Sequence, residues 1–175
     1  MNYIKDIQLK NNNSYNIVVE IPKGTKNKYE LDEKTFDKVI CVRKIKYKYP
    51  FYYGCFPQTF AGDKDPLDMI LITHKKYKPL DIIQAYPVTT IKTLDCGEQD
   101  DKVIMLDDSY KIDNKKLEKI IKQILKFLST YKGKNADMII DKNYYGIKES
   151  LEIIDKAHNE YLNRNKTNGI KVIFN

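Results

Sequence analysis

Apolar positions in the front two-thirds of the chain fall into short runs and alternations, the signature of strands. Asn16 to Ile21 is one such run, stopped by Pro22-Lys23-Gly24. Tyr29–Leu31, Val39–Ile45, Met69–Thr73, Ile82–Leu94 and Val103–Leu106 repeat the pattern. From Tyr47 to Pro66 the periodicity gives way to proline, glycine and aromatic residues. That predicts a long structured loop, the kind of segment where functional side chains collect. In the last third the period changes. Leu117, Ile120, Ile121, Ile124, Leu125, Leu128 and Tyr131 trace one helix face, with Asp113 or Asn114 as its cap and Gly133 just past its end. A second helix is predicted from Ile147 to Leu162, with Ile147, Leu151, Ile154 and Tyr161 on its buried stripe. Strands first and helices after predict an α+β fold, a small barrel or sheet with helices laid on one side. Neither a repeat nor a linker divides the chain. Residues 1–165 read as one domain, and 166–175, ending in Ile170-Lys171-Val172-Ile173-Phe174, as a tail the pattern does not place.

Composition narrows the function classes. The chain has 175 residues, 42% hydrophobic and 31% charged, which suits a soluble domain with a modest core. Its apolar runs, such as Met69–Ile72, fall far short of the roughly 20 residues of a membrane span. No charged-then-apolar leader is expected at the start. Cys41, Cys55 and Cys96 form no CxxC pair and read as free thiols in a reducing cytoplasm, and His74 and His158 lack zinc-site spacing. A net charge of +7 points to an anionic partner: a phosphate compound, a nucleic acid or a membrane surface.

The sharpest local chemistry is Asp63-Lys64-Asp65-Pro66-Leu67-Asp68. Three carboxylates so close repel one another, and Pro66 prevents a helix from spreading them. In an extended chain Asp63 and Asp65 point alike, and the kink at Pro66 can bring Asp68 round to join them. A hard cation such as Mg²⁺ would relieve the cluster; an acidic surface turn explains the same spacing. An EF-hand loop is excluded, because Asp68 stands where that loop needs glycine. A second acidic group, Asp95, Glu98, Asp100 and Asp101, surrounds Gly97 in a predicted hairpin turn, and Asp107-Asp108 reads as a turn without assigned chemistry. Lys28, Arg43, Lys102 and Lys132, with Tyr49, Tyr53 and Tyr131, would complement a substrate dense in phosphate oxygens. P-loop and Rossmann glycine patterns are missing.

Taken in order, several segments resemble the soluble family I inorganic pyrophosphatases in their short prokaryotic form. These are Val19-Glu20-Ile21-Pro22, Lys28-Tyr29-Glu30, Arg43, Tyr49-Pro50 with Tyr53-Gly54, Pro57-Gln58-Thr59, Asp63 to Asp68, Asp95 to Lys102, and Tyr131-Lys132. The chain departs from the family pattern at Lys64, where a small or polar residue is usual, at Tyr52 in place of asparagine, at Cys96 in place of a frequent acid, and in the tail after Asn165.

The resemblance implies a five-stranded OB-like β-barrel with two C-terminal helices packed outside. It implies hydrolysis of inorganic diphosphate to two orthophosphates by several Mg²⁺ ions, with a metal-bound hydroxide as nucleophile. Carried over residue by residue, Asp63, Asp68, Asp95 and Asp100 would hold metal, with Glu20 and Glu30 lining the same pocket and Glu20 counted among the metal residues. Asp65 would be the general base. Lys28, Arg43, Tyr53, Lys102, Tyr131 and Lys132 would bind the phosphoryl groups, with Tyr49 in the lining. The same resemblance implies a homo-oligomer, a hexamer; the free cysteines lead to a cytoplasmic location, and neither a nucleic-acid nor a membrane partner is expected. Two rival classes are an OB-like single-strand nucleic-acid binder, whose ligand the aspartates would repel, and a non-catalytic metal-stabilised interaction module.

Overall fold

The computed structural model describes residues 1–133, 137–141, 143 and 145–171, with side chains to Lys166. Its strands are β1 (Lys10–Asn11), β2 (Ser14–Ile21), β3 (Asn27–Leu31), β4 (Val39–Lys44), β5 (Tyr52–Cys55), β6 (Asp68–Ile72), β7 (Ile82–Ile91), β8 (Thr93–Asp95), β9 (Glu98–Gln99), β10 (Lys102–Asp107) and β11 (Met138–Ile140). Its helices are α1 (Asn114–Leu128) and α2 (Ile147–Lys171). Five strands run β2-β5-β6-β10-β7, and β7 pairs again with β2, closing a barrel with β1 on its edge. Smaller sheets, β3-β4 and β11-β8-β9, stand beside it.

Strand β10 is buried along its whole length, which is why its sequence reads as a continuous apolar run. Alternate residues of the barrel strands enter two different clusters. Ile17, Val19, Met69, Leu71, Val103 and Met105 pack with Ile154 and Ala157 of α2. Ile70, Ile72, Ile104 and Leu106 pack with Ile124 and Leu128 of α1. At about 1.5–3 kcal/mol for each such side chain removed from water, the helices contribute stability by covering the strands. Asp113 caps α1, its carboxylate accepting from Lys116 N–H at 2.8 Å. The helix ends earlier than predicted, at Leu128 with Ser129 as its C-cap, so Tyr131 and Gly133 (φ +94°) lie in the turn beyond it. The Thr90 hydroxyl donates to Ser150 Oγ at 2.9 Å, pinning the start of α2 to β7.

Four further expectations need correction. The region between Tyr47 and Pro66 contains β5, paired with both β2 and β6, so a barrel strand lies inside the predicted loop. Its four residues include a glycine and are too short for a period to register. Ile147 does not join the buried stripe of α2; it is 54% exposed at the first turn, and Ala157 takes a buried place instead. The predicted strand Ile82–Leu94 breaks at Lys92 into β7 and β8. Helix α2 also runs on to Lys171, whereas the apolar run Ile170–Phe174 lies outside the described side chains.

Candidate active site

Within the barrel, β6 and β10 are the parallel pair, with Asp68 in register with Lys102. Parallel neighbours start at the same edge, so the loops entering both strands emerge together. The connection entering β6 carries Asp63 and Asp65; the one entering β10, through the β8–β9 hairpin, carries Asp95 at the end of β8 and Asp100 just after β9. This is how two acidic groups distant in sequence reach one place.

They line a cavity of about 150 Å³ together with Glu20, Lys28, Glu30, Tyr53, Asp68, Tyr131 and Lys132. Glu20 sits on β2, buried, and its Oε1 accepts from Leu31 N–H at 2.7 Å. Tyr53 on β5 donates its hydroxyl hydrogen to Asp68. Lys102 is fully buried and bridges Asp68, at 2.6 Å, and Asp100. Lys132 pairs with Asp95, and Lys28 with Glu30. By contrast, Glu20, Asp63 and Asp65 join no ion pair among the described residues.

The electrostatics follow from burial and crowding. Burial, then Asp68 and Glu30, push the Glu20 carboxyl up to about 8. Burial and the neighbouring acids, Asp63 foremost, raise Asp65 to about 6, and Asp63 is also raised by burial and by Asp68. Burial and Asp68 raise Asp100 against the opposing pull of Lys102. Burial pulls the Lys102 ammonium down, but Asp68 and Asp100 outweigh it and raise it above the ordinary lysine range. The site therefore contains more negative charge than its lysines neutralise.

Residues 17–162 match the pattern that defines the inorganic pyrophosphatase family. An inorganic pyrophosphatase of Methanosarcina acetivorans is 31% identical over 160 residues, 86% of this chain and 94% of that one. One of Picrophilus torridus is 35% identical over 153 residues, 83% of this chain and 86% of that one. Among solved structures, the type I inorganic pyrophosphatase of P. falciparum superposes with a TM-score of 0.89 at 25% identity, covering all of this chain and 68% of that one. The chain belongs to the inorganic pyrophosphatase family.

For this pyrophosphatase, eleven of the residues singled out in the sequence line the cavity itself: Glu20, Lys28, Glu30, Tyr53, Asp63, Asp65, Asp68, Asp95, Asp100, Tyr131 and Lys132. Lys102 reaches it through Asp68 and Asp100. Tyr49 stands behind, its ring 6.2 Å from Tyr53 and 6.4 Å from Tyr131. Its buried hydroxyl has no hydrogen-bond partner among the described residues. Arg43 is outside the lining, exposed on β4 opposite Lys28, though its charge is felt at Tyr49. Sequence reasoning missed Glu33, which joins the lining just past β3 and adds to the repulsion that raises Asp65; an acidic pair in a turn leaves no pattern to tell it from surface.

The departures find places too. Lys64 is not extended: it adopts φ +74° in a turn where Asp63 Oδ1 accepts from Asp65 N–H at 3.1 Å. It is exposed and outside the lining of this cavity. Cys96, φ +51°, and Gly97, φ +83°, form the two-residue turn between β8 and β9, the geometry of a tight primed hairpin. Tyr52 is buried, and its hydroxyl links to the 75–77 loop, donating to Lys75 C=O and accepting from Tyr77 N–H.

Proposed function

We propose that this inorganic diphosphatase cleaves diphosphate with several Mg²⁺ ions held by Asp63, Asp68, Asp95 and Asp100, with Glu20 behind them and Asp65 as general base. The observation that supports this most is the convergence of two acidic loops on one cavity whose carboxyls are raised by burial and mutual repulsion. Such a donor set is all oxygen, suits a hard divalent ion, and gains most from one. As they stand, no three acidic, histidine or cysteine side chains among the described residues enclose a single point. Ammonium groups already occupy oxygens of Asp68, Asp95 and Asp100, so a cation would take over those oxygens from Lys102 and Lys132.

When bound, Mg²⁺ lowers the pKa of its coordinated water and neutralises phosphoryl oxygens. Asp65 accepts no side-chain hydrogen bond or ion pair among the described residues, which leaves its carboxylate oxygens free to take a proton. Lys28, Lys102 and Lys132, once released from carboxylates, neutralise phosphate charge as point cations, with Arg43 as a planar fork at the rim. Tyr53 and Tyr131 supply phenolic donors to the same end, with Tyr49 packed behind them. The reading extends to a homo-oligomer, a hexamer, in the cytoplasm, supported by the family resemblance and by free Cys41, Cys55 and Cys96. No described helix is long and apolar enough to cross a membrane.

Phosphate release from diphosphate tests the reading. Activity should vanish in chelator and return with Mg²⁺. Asp65→Asn should lower kcat by about 10²–10⁴-fold with Mg²⁺ binding retained in calorimetry, whereas Asp68→Asn should weaken that binding. Equal Mg²⁺ defects in the two variants would refute the division of roles.

A further inference from the structure

A second cavity, of about 250 Å³, lies behind the first, between the 60–67 segment and α2. The two cavities share their partition. Along one segment Asp63, Asp65 and Pro66 face the first cavity, and Gly62, Lys64 and Leu67 the second. Along the other, Asp100 faces the first, and Gln99 and Asp101 the second. The partition is thin and stiff. A Cβ on Gly62 would stand only 3.0 Å from Gln99 Cβ, and Asp101 is locked by Thr93 N–H and by Gln99 Nε2 at 2.6 Å.

The second cavity is chemically unlike the first. Phe60, Leu67, Ile153 and Ala157 give it an apolar floor. Its two carboxylates are already committed, Asp101 to the partition and Glu160 to Arg164 Nε at 2.9 Å. Lys64 and Lys156 border it without a side-chain partner among the described residues, and the Arg164 guanidinium lies 4.7 Å over the Phe60 ring. Apolar floor with uncommitted cations at the rim recognises a small anion on a flat apolar body.

We propose that this cavity is a second ligand site, for a small aryl carboxylate or similar amphipathic anion, coupled through the shared partition to the carboxylates of the first cavity. The volume suits a bicyclic ring, since a cavity of about 150 Å³ accommodates benzene. A ligand that packs on Gly62, Lys64 and Leu67 presses on the backbone that aims Asp63 and Asp65. Binding there must therefore change affinity for a cation at those residues, and reciprocally. Only this coupling rests on the metal assignment proposed above.

Calorimetry with 2-naphthoate, and with uncharged 2-naphthamide as control, tests the site on the intact chain. Naphthoate should bind with one-to-one stoichiometry. The double variant Lys64→Glu, Lys156→Glu, changed only at exposed positions, should weaken it about tenfold or more, a difference of ~1.4 kcal/mol. Naphthamide should bind the native chain and the variant alike. Absence of naphthoate binding, or equal binding to the variant, would overturn the site. Mg²⁺ titration with and without saturating naphthoate reads the coupling, expected to be about fivefold or more. An unchanged Mg²⁺ affinity alongside normal naphthoate binding would overturn the coupling. Failure of Mg²⁺ to bind at all would instead strike the metal assignment.

Discussion

Glu20 offers the sharpest test of the charge imbalance in the site. Its carboxyl is buried, held by Leu31 N–H, and pushed up to about 8 from an ordinary 4.5. A carboxyl raised on folding stabilises the fold fully only below its unfolded pKa, and that contribution is lost as pH rises through the folded value. Without metal, raising the pH from about 5 to about 8.5 should therefore cost this one group on the order of 3–4 kcal/mol. Glu20→Gln keeps an oxygen to accept from Leu31 N–H and removes the titration. Asp63, Asp65 and Asp100 are raised as well and pull in the same direction in both proteins, so the difference between the two isolates Glu20. The assay is urea unfolding in excess chelator across that pH range. Wild type should lose stability steeply, the variant much less, and the two should converge near pH 5. Saturating Mg²⁺ should flatten the wild-type profile. Parallel profiles for the two proteins in chelator would refute the reasoning.

Three further outcomes are expected. Asp107, buried, accepts from Ser109 N–H at 2.9 Å, Ser109 Oγ, Tyr77, Thr73 and Lys75, which together overcome burial and hold its carboxyl well below the usual range. Asp107→Asn should cost about 2–3 kcal/mol in urea unfolding at neutral pH, with the gap to wild type closing only in strong acid, where the wild-type carboxyl finally protonates. Gly54→Ala would place a Cβ 1.9 Å from the Val18 carbonyl oxygen and 2.8 Å from Met69 Cε. Thermal melting should show a loss at or above the upper end of ~1–3 kcal/mol, and kcat should fall because Tyr53 moves with the strand. Lys64→Gly relieves a left-handed backbone at φ +74° and should stabilise by about 0.5–1 kcal/mol, raising Tm by roughly 2 °C, with steady-state kinetics unchanged.

The cavity lining was legible in the sequence because acids at short spacing are costly unless something relieves them, and because Lys28, Tyr131 and Lys132 fell into the family's order. Strand β5 was not legible: its identity as a strand depends on partners β2 and β6, and Gly54 is there for the close approach of a neighbouring backbone rather than for a turn. Asp107 read as a turn because its five donors come from Thr73 to Tyr77 and from Ser109, a convergence that exists only after folding. The backbone at Lys64 depends likewise on its surroundings, where Ala61 N–H donates to Asp65 C=O at 2.7 Å and closes the turn. Helix α1 was legible to its cap, since Asp113 and the apolar stripe are local signals. Ile147 misled because hydrophobicity says nothing about whether a partner surface reaches the first turn of α2.

The parallel pairing of β6 with β10 also sets when the acidic groups meet during folding. Asp68 and Lys102 stand 34 residues apart in the chain, so their strands can join only after the intervening segment has looped out and back. Pairings of such long range are assembled slowly. A cation that needs carboxylates from both loops has nothing complete to bind until that closure has occurred. It therefore leaves the barrier to folding nearly untouched and deepens the native well behind it. On the proposed metal assignment, bound metal would act as a latch on the finished barrel, lengthening the lifetime of the folded state instead of hastening its arrival.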